Sequence, residues 1–506
     1  MATHGTIDDD YIVIAAHDFL SAPAKAALSD TQSLISDHIN RISKHMRRIS
    51  LDIHDHPETA YKELHAHAIL TTYLATVPGW EVECSAYGIE TAFVAVFDGG
   101  KAGPVVSLNA EYDALQSIGH ACGHNLTAVS SLAAALATAH VVEQAGLGGK
   151  FVLFGTPAEE GGGGKIKLLQ AGAYCDHAVD VSIMAHPGTS DDTALVRTAA
   201  CTSMKVEYHG KEAHAAARPW DGIDALDALI TAYTAIAVLR QQTQPGDIVR
   251  MQITNGGLRP NIIHAYASGQ FVVRSSSQAR LDALVVRAKA CFEAGATATG
   301  ATLKVTKGSS YKDHVPNAAL GSTYRHFWNQ IAHVHNRILE GQINILTAPT
   351  QASTDQGDIS HAMPSLHAGF WIRSEDENGK QLGGPHTRDF AKAAATEEAH
   401  GCAMQVAMAL SATAVEVLVD KKLLDEVKRE FRDSSMAVVG SLVWDLAEPL
   451  GPSLFIAHPG TKAMDQCAPD IHARPLKYLR VAAQTSYGPI CLLNGRQMTA
   501  MPLQRR

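Results

Sequence analysis

Asn109-Ala-Glu-Tyr-Asp-Ala-Leu-Gln-Ser-Ile-Gly-His-Ala-Cys-Gly-His-Asn125 begins where an apolar run, Pro104 to Leu108, stops, and it ends where an Ala-rich run starts at Leu126. The pattern is a strand, a polar loop and a helix. The loop carries two acids, Glu111 and Asp113, followed by His120, Cys122 and His124. Gly123 permits a backbone turn that a side chain would block, so a thiolate and an imidazole can reach one point. These two donors suit zinc and its first-row neighbours. The plain alternative for the loop alone is a buried cysteine among surface histidines.

Working downstream, Lys150 to Gly155 reads as a short apolar strand of the buried parallel kind. Thr156-Pro-Ala-Glu-Glu-Gly-Gly-Gly-Gly-Lys165 follows directly. Neighbouring side chains of a strand point apart, so one of Glu159 and Glu160 could bind a metal while the other faces a substrate. The glycines do not make a phosphate loop: Glu159 stands where that motif has its first Gly, and Ile166 replaces its Ser or Thr. The next apolar strand, Val181 to Ala185, ends on His186. Three successive strands thus deliver Cys122 and His124, then Glu160, then His186 beyond their carboxyl ends, where ligands of open α/β sheets gather. This convergence predicts a metal site on an α/β domain with helices on both faces of its sheet.

Upstream, Thr31 to Ile53 carries apolar residues at helical spacing, and Pro57 stops that helix. His54 and His56 are either ligands or groups that pack and hydrogen-bond at the helix–loop junction; the second reading is the simpler. Lys62 to Tyr73 reads as a helix, Val82 to Phe97 as two strands turning near Tyr87-Gly88, and Thr127 to Glu143 as a helix.

From Cys201 the pattern changes. Ser203–Tyr208, Ile248–Thr254, Ile262–Arg274 and Thr302–Thr306 read as strands, and Ile223–Leu239 and Ala279–Glu293 as helices. The order β-α-β-β-α-β is that of a ferredoxin-like unit, inserted into the first domain. Within it, Gly210-Lys-Glu-Ala-His214 and Arg259-Pro-Asn261 are polar clusters with turn chemistry as their simpler reading. The α/β pattern then resumes with a helix His326–Glu340, a polar loop Ser353–His361, a strand Ser365–Ile372, a loop holding His386, and helices Glu397–Val419 and Lys421–Phe431. The expected organisation is an N-terminal extension over 1–32, an α/β domain in two parts over 33–199 and 313–432, an inserted domain over 200–312, and a tail over 433–506 without an assigned role.

The composition is that of an ordinary soluble globular chain: 506 residues, 46% hydrophobic and 18% charged. A net charge of -9 without a basic stripe speaks against nucleic acid as a partner. Acids stand near the N-terminus where a signal peptide needs bases, and no uninterrupted apolar stretch reaches the roughly 20 residues of a membrane span. Eight scattered cysteines read as reduced thiols, which with the missing signal predicts a cytoplasmic protein.

Glu-Tyr-Asp-Ala-Leu, Gly-His-Ala-Cys-Gly-His-Asn, Pro-Ala-Glu-Glu-Gly-Gly-Gly-Gly-Lys, Ala-His-Pro-Gly, Gly-Lys-Glu-Ala-His-Ala-Ala and Ser-Thr-Asp-Gln-Gly-Asp-Ile-Ser-His occur in this order. Together they resemble the M20 metallopeptidase/amidohydrolase family. The similarity is greatest to the branch holding aminobenzoyl-glutamate hydrolase subunits and the M20 domain-containing protein 2 type of dipeptidase, and it spans roughly Ser33 to Phe431.

The resemblance implies a zinc-peptidase-like α/β domain with a mixed sheet, interrupted by a lid that mediates homodimerisation. It implies two divalent metals, zinc first, with manganese or cobalt as substitutes. Their ligands would be Cys122, His124, Glu160, His186 and His386, with Cys122 bridging; His361 and His367 lie near His386 in sequence and compete for its place. Glu159 would be the general base and Asp113 the acid that orients a ligand. His214, Asn261 and Arg274 would hold the substrate from the lid. Asn125 replaces the Asp that other amidohydrolases of the family carry after Cys-Gly-His. The implied activity is hydrolysis of a small amide: a dipeptide, an N-acyl amino acid or an aminobenzoyl-glutamate-like conjugate. The alternatives are a biosynthetic role on one specific amide and a catalytically silent, dimerising subunit.

Overall fold

Strand residues that alternate between two apolar faces build the first layer of the molecule. The computed structural model describes residues 22–331 and 350–445. Its N-terminal helix α1 (Ala22–Asp55) and α2 (Leu64–Ala75) precede β1 (Trp80–Cys84), β2 (Phe93–Asp98) and β3 (Val105–Glu111). There follow α3 (His124–Ala145), β4 (Lys150–Thr156), α4 (Gly164–Gln170), α5 (Ala173–Asp176) and β5 (Val181–Gly188). These strands, with one from much later in the chain, form a six-stranded mixed sheet. On β2 and β4, Phe93, Ala95, Phe97, Phe151 and Leu153 enter one apolar cluster, while Val94, Val152 and Phe154 enter another. The period of two thus buries both faces, the first under α1 and α3, the second under α4 and α5.

The next stretch is a layer of its own. It comprises β6 (Ala200–His209), a short β7 (Ala213–His214), α6 (Ala225–Leu239), β8 (Ile248–Asn255), a short β9 (Ile262–Ile263), β10 (Tyr266–Ser275), α7 (Gln278–Thr299) and β11 (Thr302–Tyr311). The four long strands pair antiparallel in the order β11-β6-β10-β8, which is the ferredoxin-like arrangement. Phe271, Phe292, Tyr208 and Leu229 anchor a separate core beneath α6 and α7. This is the inserted unit that the order of elements predicts.

The chain then returns to the first sheet. Beyond α8 (Ala318–Ile331) and α9 (Gln356–Ser360), β12 (Ser365–Trp371) pairs in parallel with β5, giving the order β1-β2-β4-β3-β5-β12. Short α10 (Arg388–Ala394), α11 (Glu397–Val419) and α12 (Lys421–Asp445) follow. α3 and α11 have the length and hydropathy of membrane spans, yet 94% and 67% of their apolar windows are buried within the protein. They are apolar all round because they are core helices.

Three expectations need correction. The helix placed over His326–Glu340 begins earlier, at Ala318, and its expected continuation past Ile331 lies outside the described residues. The last helix does not stop at Phe431 but runs to Asp445, and the tail beyond it lies outside the described residues. Cys175 is disulfide-bonded, whereas Cys84, Cys122, Cys201, Cys291 and Cys402 are free. The reading of eight reduced thiols therefore fails at Cys175.

Candidate metal centre

β3 does not end at Leu108 but continues through Asn109 and Ala110 to Glu111, so Glu111 is a strand residue rather than a loop residue. The loop that follows turns at Gly123, with φ +80°, and delivers His124 as the first residue of α3. A Cβ on Gly123 would lie 2.6 Å from Pro187 Cγ. Only glycine lets this turn sit against the His186-Pro187 end of β5.

β4 hands its acids over differently from a continuing strand. It stops at Thr156, and Ala158 takes a left-handed φ of +60°. The Ala158 N–H donates to Glu63 Oε1 at 2.9 Å, and Glu63 also accepts from Thr91 Oγ1 at 2.9 Å. Glu63 is fully buried, and burial raises its carboxyl to about 7. Strand alternation is therefore not what separates Glu159 from Glu160; a strained turn held by Glu63 does so. Gly164 completes the turn, since a Cβ there would lie 1.8 Å from Pro157 O.

The donors from these loops converge. Cys122 Sγ lies 3.4 Å from His186 Nε2, and with His124 these atoms are mutually within 4.8 Å. Cys122, Glu160 and His386 form a second such triplet, in which His386 Nε2 is 3.3 Å from Glu160 Oε2. Cys122 belongs to both. His124 and His186 meet edge to face, with ring centroids 5.4 Å apart. His124 Nδ1 faces the Asp113 carbonyl oxygen at 2.8 Å and Asp113 Oδ1 at 3.1 Å, which puts its proton on Nδ1 and turns Nε2 inward. His186 Nδ1 is likewise engaged by Pro187 O at 2.8 Å. The Glu160 N–H donates to Asp113 Oδ2 at 3.0 Å, so Asp113 orients residues from two loops.

These donors fit a pair of divalent ions. Ligand bonds of about 2.0–2.3 Å put neighbouring donors of a tetrahedron roughly 3.3–3.8 Å apart, which is the spacing of Cys122 to His186 and of Glu160 to His386. His124 Nε2, Glu160 Oε1 and Glu111 Oε2 are buried without a hydrogen-bond partner. Burial pushes the Cys122 thiol well above its ordinary range, so only a cation would hold it as thiolate. Burial opposes charge on His124 as well, but Asp113 and Cys122 outweigh it and raise His124 well above its ordinary value. The cluster therefore favours positive charge at its centre.

Glu159 stands beside this cluster, its Oε2 3.8 Å from His124 Nε2. Burial, then Glu111 and Asp355, raise its carboxyl well above the usual range. Tyr311 OH, from the last strand of the inserted unit, donates to Glu159 O at 2.8 Å. Behind these acids Lys165 is fully buried between Glu111 and Asp355.

Of the three competing histidines, the structure brings His386 into the cluster. It adopts φ +69°, and its N–H donates to Ala121 O at 2.7 Å. His361 instead faces the Asp313 carbonyl at 3.0 Å, and His367 is buried with its ring 6.1 Å from that of His186. The lid residues are less tightly drawn in. His214 is exposed, its Nδ1 accepting from the Ala216 and Ala217 N–H groups at 3.2 and 3.1 Å, which leaves Nε2 as the outward donor. Asn261 is exposed and accepts from the Ala215 N–H through its carbonyl. Arg274 donates through Nη1 to Gln351 O and Ser353 Oγ, and its charge acts on His386.

The sequence reading missed Glu63, Lys165, Tyr311 and Asp355. Lys165 and Asp355 lie inside the quoted motifs, where a charged residue among glycines or at a helix start was the available signal. Glu63 and Tyr311 carry no such mark.

A two-lobed cluster of thiol, imidazole and carboxylate donors at strand ends, with a carboxylate beside it, has the donor set that a metal-dependent hydrolase requires. Residues 108–389 match the model of peptidase family M20/M25/M40. The chain is 38% identical to the Xaa-Arg dipeptidase of Mus musculus over 387 residues, 74% of this chain and 86% of that relative. It is 29% identical to a p-aminobenzoyl-glutamate hydrolase polypeptide of Escherichia coli (strain K12), over 65% of this chain and 69% of the relative. Among solved structures, a Bacillus subtilis dinuclear metal-binding peptidase of the M20 family shares the fold with a TM-score of 0.55 at 19% identity, covering 75% of this chain and all of that one. The chain belongs to the peptidase family M20/M25/M40. It is a hydrolase acting on amide bonds, in the branch that the motifs indicate.

Proposed function

We propose that this chain is a dipeptidase that cleaves the amide bond of a small dipeptide, with dipeptides ending in arginine as the first candidates. The 38% identity to the Xaa-Arg dipeptidase, against 29% to the aminobenzoyl-glutamate hydrolase, supports a dipeptide over an aminobenzoyl conjugate. The observation that carries the mechanism is the double membership of Cys122, shared by the triplets Cys122–His124–His186 and Cys122–Glu160–His386.

Two divalent ions in these triplets would make water acidic enough to ionise near about pH 7 and would polarise the scissile carbonyl. Glu159 accepts the proton of the attacking water and passes it to the leaving amine. Asp113 keeps His124 in one tautomer and fixes Glu160 through its N–H. Nε2 of His214 is the donor for the developing oxyanion, a contact typically worth roughly 3 to 4 kcal/mol. His214 acts from the lid of a second copy, as the family resemblance implies, and the working form is a homodimer joined through the lid; the exposure of His214 is compatible with that role. Arg274 and Asn261 take the substrate carboxylate.

The test is turnover of a panel of Xaa-Arg and other dipeptides, N-acyl amino acids and aminobenzoyl-glutamate by zinc-loaded protein, read by mass spectrometry, beside Glu159→Gln. Cleavage by the wild type alone is expected. Equal turnover in Glu159→Gln would remove Glu159 as the base, and cleavage of aminobenzoyl-glutamate alone would overturn the dipeptide reading.

A further inference from the structure

Outside the centre just described, a second set of metal-ligating side chains lies where α1 ends and α2 begins. Asp52 Oδ1 is 3.0 Å from His56 Nδ1 and 3.0 Å from His65 Nε2, and His56 Nδ1 also faces the Asp52 carbonyl oxygen at 2.9 Å, a contact that an ion on Nδ1 would have to replace. The two imidazole rings lie 4.4 Å apart, and the three donor atoms are mutually within 4.8 Å. Asp52 and His56 are one helical turn apart and so share a face; His65 is brought back to them by the turn through Pro57.

The backbone around this trio is fixed. Glu58 accepts from the His65 N–H at 3.0 and 2.9 Å and from the Ala66 N–H at 3.0 Å, which pins the start of α2. The His56 N–H donates to Asp52 O at 3.2 Å, continuing the last turn of α1. Three donors on anchored backbone lose little freedom when they take up an ion, unlike donors scattered on a mobile loop. Their exposure, 59% for His56, 45% for Asp52 and 39% for His65, leaves room for water to complete a coordination shell.

We propose that Asp52, His56 and His65 form a third, peripheral metal site for a borderline transition-metal ion such as zinc, which cross-links the end of α1 to the start of α2. Two imidazoles and one carboxylate select such ions over magnesium or calcium, which require oxygen donors. Without an ion the trio is a set of half-exposed ion pairs of small worth. With an ion it clamps the turn whose Glu58 carbonyl accepts from the Ala114 N–H at 2.7 Å, directly after Asp113. The peripheral ion therefore stiffens one support of the loop that carries Cys122 and His124.

The experiment is equilibrium dialysis of the full chain against buffered free zinc, with metal counted per chain by plasma mass spectrometry, for wild type, His65→Ala and Asp52→Asn. Both variants are expected to hold one zinc fewer than the wild type at the free zinc that saturates it. Cobalt-loaded samples of all three are expected to keep the same thiolate-to-cobalt absorption from Cys122. Equal zinc counts in all three overturn the site. A lower count accompanied by loss of the thiolate band would locate the lost ion at Cys122 and overturn it too. Should His65→Ala not fold, His56→Gln takes its place with the same expected loss. The count difference does not depend on turnover, so a failed dipeptidase assay leaves this test intact.

Discussion

The ammonium group of Lys165 lies 2.5 Å from Glu111 Oε1 and 2.5 Å from Asp355 Oδ1, with all three side chains fully buried. Glu111 and Asp355 also lie next to Glu159. One cation thus lets three carboxylates share a buried pocket behind the proposed metals.

Lys165→Met should therefore be strongly destabilising. Removing one partner of a buried ion pair leaves uncompensated charge and typically costs about 3–5 kcal/mol. Burial alone would lower the Lys165 pKa, but Asp355 and Glu111 raise it above its ordinary value, whereas burial pushes the Asp355 carboxyl up to about 6. The loss should then be larger at pH 9 than at pH 6, because carboxylates left buried without Lys165 take up protons more cheaply at the lower pH. Chemical denaturation of metal-free protein at both values is the check, and a Lys165→Met variant as stable as wild type would contradict the assigned ion pairs.

Cys122→Ala should reduce the occupancy of both central metals, because Cys122 is the one donor common to both triplets. His386→Ala should lower occupancy of one, since it belongs to the Cys122–Glu160 triplet alone. Metal counts on the two variants separate a shared ligand from a single-site ligand. Full occupancy in Cys122→Ala would show that the thiol holds neither ion.

Much of this centre was legible in the chain because its donors sit in short loops whose spacing is fixed by neighbouring strands. Cys122, His124, Glu160 and His186 follow three apolar runs, and a parallel sheet forces such ends to one edge. Arg274 shows where that logic stops: its position in β10 is readable, but its commitment to Gln351 and Ser353 depends on how the insert meets a loop far along the chain. Glu63 was invisible for a related reason, since its partners Ala158 and Thr91 lie on other elements. The left-handed turn at Ala158 and the extension of β3 to Glu111 were missed because tertiary contacts, not local propensity, decide both.

Glu63 makes a pH prediction. Burial raises its carboxyl from 4.5 to about 7 in the folded state. Between these values the folded chain binds more protons than the unfolded one, so this residue's contribution to stability falls as pH rises from about 4.5 to about 7 and is level beyond. The total change is on the order of 3 kcal/mol. Glu63→Gln removes the titration, and the stability difference between variant and wild type should shift in favour of Gln across that window. Denaturant midpoints from pH 4.5 to 8 test this; a difference that is flat with pH would mean Glu63 is ionised throughout.

Gly123→Ala tests whether backbone geometry at the centre is as tight as the side-chain distances imply. Its φ of +80° disfavours any L side chain, and the added methyl would meet Pro187 Cγ at 2.6 Å. Relief requires the loop carrying Cys122 and His124 to move away from the end of β5, where His186 lies. Because Cys122 and His186 are 3.4 Å apart, a shift of even half an ångström spoils a shared ion. The expected outcome is a folded variant, with its cores intact, that binds zinc less tightly and loses turnover in proportion at fixed free zinc. Turnover restored by raising free zinc would assign the defect to metal affinity. Unchanged zinc affinity would mean that the turn at Gly123 does not set the spacing of Cys122, His124 and His186.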